Sequence, residues 1–168
     1  MRNRTRSLET LLIQALHALV IVALSASCTS GRQKGVPVAP QFFRSPDPAI
    51  AALPFSEAVQ VGDLLFLSGQ IGNIPGTLDL IPGGIVPESK QTLENIQAIL
   101  ARHGSSFDDV VKCTVFLADM RDWPAFNDVY RGYFKAHFPA RSALGANGLA
   151  RSARVELECI AHVPSTAK

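Results

Sequence analysis

Two places in this 168-residue chain carry residue types that do chemistry on small anions. Arg141 follows Phe138-Pro139-Ala140 and precedes Ser142, so a rigid proline turn delivers an arginine to the start of a strand. Glu156 and Glu158 alternate with Val155, Leu157 and Cys159, which puts both acids on one face of a second strand. A guanidinium fork holds a carboxylate bidentately, and an acid beside it can orient or deprotonate a water. The plainer alternative is that the acids sit on a solvated sheet face. If that face lies between subunits instead, Arg141 and Glu156 become scarce buried charges in need of a partner.

Other chemistries lack their signatures. The chain has no CxxC, HExxH, GxSxG or phosphate-cradling glycine loop. His103, His137 and His162 are isolated and sit at element ends, which gives no metal-ligand spacing. Cys113 falls in phase with Val111, Val115 and Leu117, and Cys159 with Val155, Leu157 and Ala161, so both read as small buried hydrophobes. A bridge between them is the alternative, and sequence does not supply its geometry.

The elements that must position these groups follow from periodicity. Ala58-Val59-Gln60-Val61, a Gly62-Asp63 turn and Leu64-Leu65-Phe66-Leu67-Ser68 read as a hairpin. Residues 72–87 form a long Gly/Pro loop. A helix opens at Pro87-Glu88-Ser89, carries Leu93, Ile96, Ile99 and Leu100 on one stripe, and stops at Gly104. Val110 to Leu117 is a β-branched strand. A second helix is expected from Trp123 to His137, with Trp123, Phe126, Tyr130, Tyr133, Phe134 and His137 on its stripe. Strands near 142–145 and 154–162 complete the order β-β-α-β-α-β-β. Two helices covering one side of a mostly antiparallel sheet make an α+β fold. The other sheet face has no helix left to cover it, which argues for burial against copies of the same chain.

Charge and composition narrow the partners. The chain has 16 Lys/Arg and 14 Asp/Glu; setting aside Arg2, Arg4, Arg6 and Glu9 leaves 13 of each from Cys28 onward. A neutral body offers no electrostatic footprint for a phosphate backbone, so no nucleic-acid partner is expected. The basic start, the aliphatic run Ala18–Leu24 and the exit Ser25-Ala26-Ser27-Cys28 have the layout of a secretory signal. Cys28 after small residues suggests a lipoprotein, lipidated there, with Ser25 where the strongest such signals carry leucine. The expected product is exported, periplasmic or held to a membrane by a lipid at Cys28. A plain signal, an uncleaved anchor and a cytoplasmic protein with a misassigned start are the alternatives. Residues 1–28 are thus read as a signal peptide, 29–40 as a proline-containing tether and 41–165 as the folded domain.

The body also resembles a known family. Pro54-Phe55-Ser56-Glu57-Ala58-Val59, Ser68-Gly69-Gln70-Ile71-Gly72, Lys112-Cys113-Thr114-Val115-Phe116-Leu117, Asn127 with Tyr130 and Phe134, Pro139-Ala140-Arg141-Ser142 and Val155-Glu156-Leu157-Glu158 occur in order. Together they are similar to the RidA (YjgF) family of reactive-intermediate deaminases, over residues 41 to 163. The resemblance implies a chorismate-mutase-like fold, a homotrimer around a central barrel, and clefts between subunits. It implies cofactor-free hydrolysis of 2-aminoacrylate-type enamines and imines to 2-keto acids and ammonia. Arg141 maps to the carboxylate-binding arginine and Glu156 to the acid that handles water. Phe55, Ser68, Gly69, Asn127 and Ala143 map to positions that line the cleft. Phe55 stands where the best-known members carry tyrosine, and Ala143 where they carry cysteine. Competing readings are a non-catalytic trimeric binder of small carboxylates or ketoacids, a holdase, and the ribonuclease or translation-inhibitor activity ascribed to some relatives.

Overall fold

The computed structural model describes residues 39–163, and their strands form one six-stranded sheet. In chain order the elements are β1 (Gln41–Phe43), α1 (Pro48–Ala51), β2 (Ala58–Val61), β3 (Leu64–Leu67), α2 (Ile85–Arg102), β4 (Val110–Leu117), α3 (Trp123–Tyr130), β5 (Ala140–Gly145) and β6 (Val155–His162). The sheet order is β1-β2-β3-β6-β4-β5, and only β4 and β5 run parallel. The expected α+β architecture is therefore what forms. α2 and α3 pack on one face, where Leu93, Ile96, Leu100, Phe126, Leu65, Val115 and Leu157 are all fully buried. The opposite face keeps Leu64, Phe66 and Leu144 exposed, at 37%, 39% and 44% of their surface.

The local chemistry explains the element ends. Gly62 takes φ +61 in the two-residue turn between β2 and β3, a conformation that costs an L side chain energy. α2 closes as the Gly104 signal predicts. The Ser105 N–H reaches back to the Leu100 carbonyl at 3.0 Å and the Gly104 N–H to that of Ala101 at 3.2 Å, with Gly104 at φ +70. α2 opens two residues earlier than expected, because its first turn leaves Pro87 no missing hydrogen bond to make.

Four sequence expectations are corrected. α3 stops at Tyr130 rather than running to His137. The amides of Gly132 and Tyr133 bond back to Val129 and Tyr130, so the chain tightens into turns, yet Phe134 still reaches the core. Val111 does not share the buried face of Cys113. The pairing shifts between Val110 and Lys112, and this bulge turns Val111 out to 48% exposure while Val110 faces in. Pro46, Pro48 and Pro54 are expected to interrupt any regular element before β2, yet the stretch contains one helical turn, α1, capped by the Asp47 carboxylate on the Ala49 amide. Finally, Cys113 and Cys159 are directly paired across β4 and β6, with Cα atoms 4.1 Å apart, and are joined in a disulfide rather than standing as free thiols.

Candidate functional site

Arg141 lies near the start of the edge strand β5, and its side chain turns to the helix-covered face. Its Nη2 donates to the Asn127 Oδ1 at 2.8 Å. Its guanidinium carbon stands 4.7 Å from the Trp123 ring centroid and 4.5 Å from that of Tyr130. All three partners belong to α3, spaced as one helical face. The arginine is thus oriented by aromatic faces and one amide, and no carboxylate pairs with it among the described residues. A cavity of about 420 Å³ opens beside it, lined by Asn127, Tyr130, Arg131, Phe138, Pro139 and Arg141. Burial pushes the Tyr130 hydroxyl up to about 12, so it stays protonated.

Glu156 belongs to a second cavity. In the β4–β6 ladder it sits opposite Phe116, whereas Arg141 sits opposite Cys113 in the β4–β5 ladder. Phe116 and Cys113 are three residues apart on one strand, so they point to opposite faces, and Glu156 and Arg141 do likewise. The Glu156 cavity holds about 340 Å³ and is lined by Phe55, Gly69, Gln70, Ile71, Arg151 and, from α1, Ile50. Gly69 leaves room for that acid: a Cβ built on it would run into the Glu156 carboxylate and push it out of its present position. Partial burial, and then the like charge of Glu158, push the Glu156 carboxyl above its ordinary range.

Several backbone and side-chain ties hold this second cavity. Gln70 and Leu157 exchange both amide hydrogen bonds at 2.9 Å, which binds the segment after β3 to β6. The Asn95 amide of α2 donates to the carbonyls of Ile71 and Asn73, both at 3.0 Å, and so pins the following loop. Buried Glu88, in the first turn of α2, accepts the Arg154 N–H at 2.8 Å, while the Arg154 guanidinium pairs with Asp122 at 2.7 Å. The strand carrying Glu156 therefore starts from a fixed point.

The sequence-derived site residues fall into two groups within one chain. Arg141 and Asn127 come together, with Ala143 two places along the same face of β5. Glu156, Gly69 and Phe55 come together at the other cavity. Ser68 is adjacent to Gly69 and donates its hydroxyl to the Ser56 carbonyl at 2.7 Å. Neither Ser68 nor Ala143 lines either cavity. The sequence reading missed Trp123 and Tyr130 as partners of Arg141, because their spacing signals only an apolar stripe. It also missed Arg151, which sits at φ +57 on the rim beside Glu156 and reaches Asp79 at 3.9 Å.

Known proteins resemble this chain throughout the same region. The family described as endoribonuclease L-PSP matches residues 46–163. A goat protein named 2-iminobutanoate/2-iminopropanoate deaminase is 49% identical over 108 residues, which are 64% of this chain and 79% of that protein. The crystal structure of RidA from an Antarctic Psychrobacter superposes with a TM-score of 0.68 at 34% identity, covering 73% of this chain and 99% of that one. That of the Escherichia coli YjgF product gives 0.68 at 31%, covering 74% and 99%. The signal peptide of residues 1–28, with lipidation at Cys28, lies outside the described residues. The comparisons correct that expectation: the likeness falls in the body, to proteins named as deaminases, and brings neither signal peptide nor lipoprotein with it. The order of motifs, the mixed sheet and these matches agree, and the chain belongs to the RidA (YjgF) family.

Proposed function

We propose that this chain is a hydrolytic deaminase of 2-imino acids and their enamine tautomers, working without a cofactor in clefts between copies of itself. The observation that carries the reading is the state of Arg141. It is a guanidinium locked by Asn127, Trp123 and Tyr130, open to a cavity and unpaired with any acid among the described residues. Such a group is preorganised for a carboxylate. The names of relatives up to 49% identical supply the reaction class.

In this reading Arg141 of one protomer and Glu156 of a neighbour meet in one cleft, since a single chain turns them to opposite faces. The apolar open face, with Leu64, Phe66 and Leu144 exposed, supports a homotrimer closed over those side chains. The substrate carboxylate sits on Arg141. Glu156 takes a proton from water as the water oxygen bonds to the imine carbon, and the C=N electron pair moves to nitrogen, which is protonated. The C–N bond of the resulting carbinolamine then breaks; ammonia leaves and the carbonyl forms. An enamine first accepts a proton at its terminal carbon to become the imine. The carbon is already electrophilic, so positioning supplies most of the rate.

The test is ammonia and 2-keto acid release from enzymatically generated 2-aminoacrylate, comparing the parent with Arg141→Ala. Acceleration by the parent alone establishes the reading. No acceleration by either leaves a carboxylate-binding module. Light scattering that returns a monomer would remove the shared cleft.

A further inference from the structure

Arg154, which directly precedes β6, is held by its amide, its carbonyl and its side chain. Its N–H donates to the Oε2 of buried Glu88 at 2.8 Å, and its carbonyl accepts the Ala118 N–H at 3.0 Å. Its guanidinium forks onto Asp122, with Nε to Oδ2 at 3.0 Å and Nη2 to Oδ1 at 2.9 Å. The Asp122 side chain is only 12% exposed, so the fork is a partly desolvated bidentate pair and stronger than an ordinary surface one.

These ties run to both halves of the site. Asp122 immediately precedes α3, whose Trp123, Asn127 and Tyr130 orient Arg141. A helix of eight residues moves as a short rod, so anchoring its first turn fixes where those three partners stand. Glu88 lies in the first turn of α2, and Glu156 is two residues beyond Arg154 along β6. The amide bond to Glu88 therefore sets where the strand carrying the acid begins.

Resting on the deaminase reading, we infer that Arg154 is a positioning residue for both halves of the site: its guanidinium, through Asp122 and α3, orients Arg141, and its amide, through Glu88, places Glu156. The two ties are separable. A substitution at 154 removes the fork and keeps the N–H, whereas a substitution at 88 removes the acceptor and keeps the fork. Loss of the fork should weaken carboxylate binding, and loss of the acceptor should slow turnover.

The experiment measures kcat and KM on an imino acid generated in place by an amino-acid oxidase. Calorimetry gives the Kd and stoichiometry for pyruvate, a product-like carboxylate that is not consumed. Arg154→Gln should raise KM and the pyruvate Kd roughly 5- to 20-fold with kcat within about threefold, and Arg154→Lys, with one contact, should fall between. Glu88→Ala should lower kcat roughly tenfold or more with the pyruvate Kd and stoichiometry kept, and Glu88→Gln, whose amide oxygen still accepts the Arg154 N–H, should restore it. Thermal melts check folding, and Glu88→Met, which fills the volume, replaces Glu88→Ala if that variant is unfolded. A folded Arg154→Gln that binds pyruvate as the parent does overturns the inference. So does a folded Glu88→Ala or Glu88→Met that turns over at the parental rate. Lower stoichiometry with unchanged KM and Kd overturns it as well, in favour of a purely structural role. Failure of the parent to accelerate hydrolysis of any imine overturns the deaminase reading instead, and the pyruvate titrations then still decide whether Arg154 orients Arg141.

Discussion

Arg141 and Glu156 are carried by strands on either side of β4 and project from opposite faces of the same sheet. Within one protomer the two side chains therefore face away from each other.

Mixing therefore tests the shared cleft. Arg141→Ala and Glu156→Gln should each be inactive alone. In trimers reassembled from equal amounts of both, about a quarter of clefts would receive an intact arginine from one chain and an intact acid from its neighbour. Recovery of roughly that fraction of parental activity is expected. Zero recovery, with mixed trimers shown by mass, would place both residues in one protomer's site or remove one from catalysis.

The pH dependence follows from Glu156. As a base it acts ionised, so kcat/KM should rise with pH along an acid limb lying above the ordinary glutamate range. Glu158→Gln removes the lesser of the two causes, so the limb should move to lower pH while turnover persists. The same upward shift bears on stability. Below both its folded and unfolded pKa values the group costs nothing, and the cost appears as pH rises through the folded value. At neutral pH Glu156→Gln should thus melt slightly higher than the parent while losing activity.

Trp123 is a positioning residue. Trp123→Leu keeps an apolar side chain and removes one aromatic face from Arg141. The expected effect is a KM roughly 3- to 30-fold higher with a smaller change in kcat, since the arginine remains but its orientation loosens. Trp123→Phe should restore most of the affinity. A purely structural role would lower the active fraction, and so kcat, without moving KM.

The disulfide makes a separate prediction. It joins the neighbouring strands β4 and β6 across 46 residues of sequence. Reduction, or Cys113→Ala with Cys159→Ala, should cost on the order of 2–4 kcal/mol in stability, read as a lower thermal midpoint. An identical melt with and without reductant would show the bond to be absent from the protein in solution.

Much of this was legible in the chain. The β2–β3 hairpin, the α2 stripe and its Gly104 stop are local signals, and local signals survive without tertiary context. The opposition of Arg141 to Glu156 was not legible, because it depends on which residue of β4 each one pairs with. Val111 shows the difficulty in miniature: strict alternation assigns it to the core, and one inserted residue turns it outward. The aromatic setting of Arg141 was hidden for another reason. Trp123 and Tyr130 carry the periodicity of core residues, and they are core residues, with one cation packed among them. Glu88 reads as a helix-start acid, and nothing in its sequence position announces that it accepts the Arg154 amide.

That last bond divides the chain between β5 and β6 into two parts with different freedom. On the far side of Arg154 the backbone is committed, and a residue gained or lost there would move Glu156. On the near side the Ala146 amide is tied to the Leu117 carbonyl at 2.8 Å and Ala153 is buried, but residues 150–152 between them are exposed and can change side chain without disturbing either end. Ala150 and Arg151 lie in that exposed stretch and form one wall of the Glu156 cavity. A side chain exchanged at either position would therefore reshape that wall while the acid at the base stays where it is.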